Sequence, residues 1–373
     1  MKKYFFLIGI GLILSFGSCR KDIKTSGDEF DDRMITEKNK PFALGEEYML
    51  YVVSENNNNP VITGYCDSFF CKYIYGLPQR ECFIFPVQLS VSGLNEVRKK
   101  NLSMLFLVDR QHDSAMKVFI HQHFPEVAAI NNDSTVVRQY NHKWAYPQAI
   151  TVISAANEEM LTRAIAGNAS SLLVFYDKFE KIRTKRLVYA KGSNSTQNNN
   201  VFKAFNVSFS VPSGYLNIYQ RLKGNQEKVL KENGIDALLW YRLKNESFSS
   251  DFMIYSLPYQ EDLNETDLLE LRDKVSRQLV HGPNKGSYVA VAQSIYPPVS
   301  ELVNVNGFRG LKITGLWETI GDWMGGPFIM FVLKDTQNKQ LIVFDGFVYA
   351  PGMDKAPLVR RLEIIANTIR KTK

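Results

Sequence analysis

Residues 311–333 read LKITGLWETIGDWMGGPFIMFVL, and residues 341–349 read LIVFDGFVY. Leu311–Trp317, Phe328–Leu333 and Leu341–Tyr349 are short apolar runs rich in branched and aromatic residues, the composition of strands. Gly321 to Pro327 separates the first two and carries a Gly pair and a Pro, the chemistry of a turn. Phe328–Leu333 is apolar at every position, so cover is expected on both of its faces. A helix is expected to start near Pro357, which suits a first-turn position, with Asp354 as the candidate cap. Leu358, Leu362, Ile365 and Ile369 would be its core face.

The same order, strands and then one amphipathic helix, recurs twice upstream. Phe83–Val91, Ser103–Val108 and Ala149–Ser154 read as strands. A helix follows with Asn157 as cap, Glu158 and Glu159 in its first turn, and Leu161, Ile165, Leu172, Phe175 and Phe179 on one face. Next, Val207–Val211, Ala237–Leu243 and Asp251–Leu257 precede a helix over Asp267–Leu279. The pattern predicts an α+β fold: antiparallel sheets with helices packed on one face, in repeated strand-strand-strand-helix modules. Several strands in succession between helices argue against a doubly wound α/β sheet. Ser193–Asn200 is polar with three consecutive Asn and reads as a linker, residues 193–200. It separates an N-terminal domain, residues 41–192, from a C-terminal one, residues 201–373, divisible into modules 201–286 and 287–373.

The N-terminus supplies an address. Lys2 and Lys3 precede an apolar stretch, Tyr4 to Leu14, too short to span a bilayer, which takes roughly 20 residues. Residues 1–18 therefore read as an export signal. Gly17 and Ser18 before Cys19 resemble a lipobox, although Phe16 stands where Leu is usual. Cys19 is then the expected acylation site, and residues 19–40, polar and charged, the tether. Arg20 in place of Asp favours the outer membrane, facing the periplasm or the cell surface.

The 373 residues carry 45 Lys+Arg against 38 Asp+Glu, with 45% hydrophobic and 12% aromatic content. That excludes a disordered chain, and four cysteines exclude a disulfide-dense mini-protein. Basic residues cluster at Lys181, Arg183, Lys185 and Arg186, and at Arg360, Arg361, Arg370, Lys371 and Lys373; they read as solvated helix ends, and an exported chain is not expected to meet nucleic acid. Cys66, Cys71 and Cys82 allow one disulfide and one thiol left over. His112, His121 and His123 are the only grouping that suggests metal. On a strand His121 and His123 would share a face, with His112 or Asp113 as third ligand for zinc. Trp317 and Trp323 are candidates for stacking on a sugar. Asp322, Gly325 and Gly326 complete that candidate site, the glycines offering backbone N–H groups to an anion. Ser114 and Ser134 sit in short Asp-Ser triplets that resemble an O-glycosylation motif. No serine elbow, Walker loop or dinucleotide fingerprint occurs in the sequence.

Gly315-Leu316-Trp317-Glu318, Gly321-Asp322-Trp323-Met324-Gly325-Gly326-Pro327-Phe328, Asp345-Gly346-Phe347-Val348-Tyr349-Ala350-Pro351 and Asp354-Lys355 together resemble the domain of unknown function 4837 family, predicted envelope lipoproteins of Bacteroidota. Chain length, the lipoprotein start and the Trp144–Ile153 stretch are similar too. The resemblance extends from about residue 80 onward. It implies location and architecture, and no catalytic residue or cofactor. The expected function is non-enzymatic binding or scaffolding in the envelope, with an envelope protein or a polysaccharide as partner. A metal-dependent hydrolase built on the histidines and a glycan-binding module are the alternatives.

Overall fold

The computed structural model describes residues 40–55, 59–130, 134–219, 226–293 and 296–372. The export signal, Cys19 and all but the last residue of the tether lie outside the described residues, as does Asp133. Two large sheets organise the chain; the short strands β6 (Val207–Ser208) and β15 (Arg370–Lys371) pair separately, and α6 (Gln226–Glu232) precedes β8 (Ala237–Lys244). The first large sheet takes β1 (Met49–Ser54), β2 (Phe85–Ser90), β3 (Ser103–Asp109), β4 (Val136–Asn141) and β5 (Ala149–Ala155), in the order β2-β1-β3-β5-β4. Its pairings are parallel except for β4, which runs antiparallel to β5 at the edge. Parallel strands need crossovers, and three helices absent from the sequence reading supply cover and connection: α1 (Pro60–Phe70), α2 (Ala115–His123) and α3 (Pro125–Ala128). The fourth, α4 (Glu158–Val188), starts as expected, with the Asn157 side chain accepting from Met160 N.

Alternation along each strand sorts the core. Leu105 and Leu107 of β3 face α1 and α4, while Met104, Phe106 and Val108 face α2 and α3. Helices therefore cover both faces of this sheet rather than one. Parallel strands, buried on both sides, leave no polar face to expose.

The second sheet joins the second and third predicted modules. It takes β7 (Leu216–Asn217), β8 (Ala237–Lys244), β9 (Ser249–Pro258), β10 (Tyr288–Val291), β11 (Val299–Val305), β12 (Phe308–Ile320), β13 (Gly325–Asp335) and β14 (Gln340–Tyr349). All its pairings are antiparallel, in the order β10-β12-β13-β14-β9-β8-β7 with β11 beside β12. Phe328–Leu333 is covered on both faces, as its apolar run requires. Phe328, Met330 and Val332 pack toward α7 (Glu265–Leu279), whereas Ile329, Phe331 and Leu333 pack toward α5 (Ser195–Phe205) and α8 (Ala356–Ala366). As a whole the chain is α+β. Here too helices lie on both faces, and the modules are not separate bodies, because β14 of one pairs with β9 of the other.

Residues 193–200 are a correction to the linker reading. Asn194 caps α5 through Gln197 N, and the Asn run forms the helix body. Val201 and Phe205 anchor it in the core. Two buried apolar residues one turn apart outweigh the low propensity of the polar ones.

α4 and α8 lie between the sheets and join the halves. Arg360 of α8 stacks over the Tyr48 ring at 3.3 Å, and Arg361 pairs with Glu47 at 2.6 Å. These two arginines are thus interface residues, not solvated helix ends. Lys181 pairs with Asp177 at 2.7 Å. Asp354 does not cap α8. That role falls to Glu81, whose carboxylate accepts from Lys355 N at 2.8 Å and Ala356 N at 2.7 Å. Glu81 belongs to a loop closed by the Cys71–Cys82 disulfide, and the same loop sends Leu77 into the C-terminal core. A negative charge on the positive end of a helix dipole is favourable, so the cap is also electrostatic.

Candidate functional site

One end of the second sheet is hollow. The last residues of β8, β12 and β14 meet the first of β9 there, beyond the C-terminus of α7, around a half-open cavity of about 410 Å³. Its apolar wall includes Val280, Val289, Trp317, Met324, Phe347 and Tyr349; its polar wall includes Arg242, Lys244, Ser249, Asp251, His281 and Thr319. The volume falls in the range of small-molecule sites.

Each polar group is held differently. Asp251 is buried and accepts from Trp240 Nε1 at 2.9 Å, Arg242 Nε at 2.6 Å and Ser249 Oγ at 2.5 Å. Burial pushes its carboxyl up, and the Arg242 guanidinium opposes the shift. Arg242 also stacks on the Trp240 ring at 5.1 Å, so the guanidinium is fixed by one edge and one face. Lys244 and His281 make no ion pair or side-chain hydrogen bond among the described residues. Thr319 is 4% exposed, and its Oγ1 has no partner among the described residues. A buried hydroxyl without a partner is costly.

Trp317, predicted for sugar stacking, is 3% exposed, and its Nε1 donates to Val348 O at 3.2 Å. It is a core residue that forms the inner wall. Trp323 is fully exposed at the tip of the β12–β13 hairpin, one residue from the cavity wall. The two rings therefore form no common platform. Asp322 accepts from Trp323 N at 2.7 Å, while its Oδ2 has no partner among the described residues. Gly325 and Gly326 are extended and pair with Glu318 and Trp317, so they do not form an anion nest. Gly326 is required for packing: a Cβ there would lie 2.0 Å from Val348 O and 3.1 Å from Trp317 Nε1.

The histidines are not brought together. His121 and His123 lie on α2, not on a strand. Two residues apart on a helix, they point to different sides. His123 packs against Phe119 and Trp144, and burial with Lys99 nearby lowers its pKa. His112 Nδ1 bonds Asp109 Oδ2 at 2.8 Å, which raises the imidazole pKa. Asp113, the proposed third ligand, accepts from Asp109 N, and burial pushes it up to about 6. Among the described residues no three His, Cys, Asp or Glu side chains are grouped to hold a metal. Cys71 pairs with Cys82, leaving Cys66 as the buried thiol, pushed up to about 12 by burial. Ser114 and Ser134 are both exposed.

Sequence reasoning missed the cavity because five separated segments build it. Arg242 next to a Trp two residues earlier was the one local signal, since that spacing places both side chains on one strand face.

An antiparallel sheet flanked by helices, with a mixed aromatic and cationic cavity at one end, is an α+β architecture. Residues 193–368 match the family described as Domain of unknown function (DUF4837). The match begins at residue 193 rather than near 80, so the parallel sheet lies outside it. No curated protein matches the chain. Two solved structures are similar. A mutant of protein Mog1 has a TM-score of 0.27 at 10% identity, over 44% of this chain and 90% of that one. The Saccharomyces cerevisiae Ran-binding protein Mog1p has a TM-score of 0.25 at 11% identity, over 44% of this chain and 89% of its own. At such TM-scores neither likeness carries weight.

Proposed function

We propose that this chain is a lipid-anchored envelope protein that binds a small amphipathic molecule without turning it over. The observation that carries this is the cavity, whose lining sets Arg242, Lys244 and His281 beside an aromatic wall of Trp317, Phe347 and Tyr349. The N-terminal reading supports the location: Lys2, Lys3, the apolar stretch and Cys19 have the order of an acylated export signal. No helix among the described residues is long and apolar enough to cross a membrane, so on this reading the acyl chains at Cys19 make the attachment.

Native mass spectrometry of the lipoprotein extracted from its own envelope tests the binding. A stoichiometric adduct is expected, and Met324→Trp, which places bulk on the cavity wall, should lose it. Identical adducts on both proteins would show that the cavity is not the site. Metabolic labelling with palmitate, lost in Cys19→Ser, tests the anchor.

A second reading rests on Trp323, whose ring is wholly exposed and offers a flat apolar face to a polysaccharide. Trp323→Ala should then abolish retention on envelope glycan while leaving the thermal midpoint unchanged.

A further inference from the structure

Resting on the cavity reading, we propose that the ligand carries a single oxyanion head and that Arg242 receives it. The geometry of the guanidinium is the reason. Its Nε edge is committed to Asp251 at 2.6 Å, and its face is stacked on Trp240. Its two Nη groups have no partner among the described residues, although the side chain lines the cavity. An arginine fixed on one edge and free on the other is pre-organised for a planar acceptor.

The surrounding groups favour the same ligand. Lys244 and His281 line the cavity without side-chain partners among the described residues. Asp251, the buried carboxylate of the site, already accepts three hydrogen bonds and is matched by Arg242. Glu246 lies on the same lining and forms no ion pair with Lys244 among the described residues. Behind these donors stand Trp317, Phe347, Tyr349 and Met324, which suit an alkyl or aromatic body. Polar donors and apolar cover in one cavity suit an amphipathic anion.

The test compares two dyes that differ in charge. Anilinonaphthalene sulfonate is the anionic probe and phenylnaphthylamine its neutral counterpart. Both are titrated by fluorescence into the full chain carrying Cys19→Ser, free of detergent. The anionic dye should bind, and Arg242→Gln should weaken it by about tenfold to a hundredfold, the worth of a hydrogen bond to a charged group. Arg242→Lys, which keeps the charge and loses the fork, should weaken it less, and the neutral dye should ignore both changes. Met324→Trp should abolish binding of both. If Arg242→Gln does not fold, Arg242→Lys and Lys244→Gln carry the comparison. Displacement of the dye by octanoate assigns a carboxylate head, and displacement by octyl phosphate a phosphate head; either supports the proposal.

Equal displacement by octanol, or equal binding of both dyes with no effect of Arg242, overturns it while leaving an apolar binding cavity. Dye binding that ignores Met324→Trp overturns the cavity reading as well.

Discussion

Two single residues make claims that can be measured. Thr319 buries a hydroxyl that nothing among the described residues satisfies. In ligand-free protein, Thr319→Val should therefore raise the unfolding free energy by about 1–2 kcal/mol, read as a higher urea midpoint at constant slope. A loss instead would mean that the hydroxyl is already satisfied, by ordered water for example. Glu180 is 1% exposed, accepts from Ser103 Oγ at 3.0 Å, and is pushed up to about 7 by burial. Its folded value lies above the unfolded one, so the native state holds this proton between roughly pH 4.5 and pH 7 while the unfolded chain releases it. Stability should fall across that window and stay lowered above it, by about 3 kcal/mol for this group. Glu180→Gln should flatten the difference; parallel wild-type and variant curves from pH 4 to pH 8 would reject the assignment.

At the scale of elements, the buried pair between α7 and β14 is the sharpest case. Arg272 and Asp345 are 0% and 1% exposed, joined through Nε and Oδ1 at 3.1 Å, and the guanidinium lies 4.0 Å from the Phe328 ring centroid. Both Arg272 Nη atoms and Asp345 Oδ2 lack partners among the described residues. Such a pair contributes orientation of the helix more than stability. Arg272→Met alone should cost about 3–5 kcal/mol by stranding a buried carboxylate, whereas Arg272→Met with Asp345→Leu should recover most of the loss. Urea unfolding of the three proteins decides it. Elements also show what the sequence could and could not disclose. α4 was legible because Asn157, Glu158 and Glu159 announce its start and a long apolar stripe follows. Phe328–Leu333 was legible because its apolar run leaves only a strand covered on both faces. α1 was not, since it begins after an Asn run that reads as a loop, with Pro60 in the first turn and no acidic residue there. α2 was hidden by His121 and His123, whose alternation mimics a strand. Missing those helices concealed the crossovers, and with them the parallel pairing of β1, β2, β3 and β5. The cavity was illegible for a different reason: it is made by the ends of five segments that only the sheet order brings together.

For the whole molecule, the decisive contact is between halves. The loop between Cys71 and Cys82 leaves the N-terminal half, buries Leu77 in the C-terminal core and places Glu81 on the first turn of α8. Tyr75 adds a hydrogen bond from its hydroxyl to Pro297 O at 2.8 Å. The disulfide spans 11 positions, and a closed loop of that size contributes about 3 kcal/mol. Glu81→Ala should cost about 1–2 kcal/mol as a lost cap. Combined with Cys71→Ser and Cys82→Ser, the loss should fall short of the sum, because both changes release the same loop. Additive losses in a thermodynamic cycle would mean that loop and cap act separately.

The cap has a further use as a reporter. The amides of Lys355 and Ala356 are held by a carboxylate 274 and 275 positions away in the chain. Their rate of hydrogen–deuterium exchange is thus governed by an opening event in the other half of the protein. Two backbone protons at the start of α8 record whether the distant covalent loop is closed, and they would show reduction of the Cys71–Cys82 bond before any change in the sheet behind them.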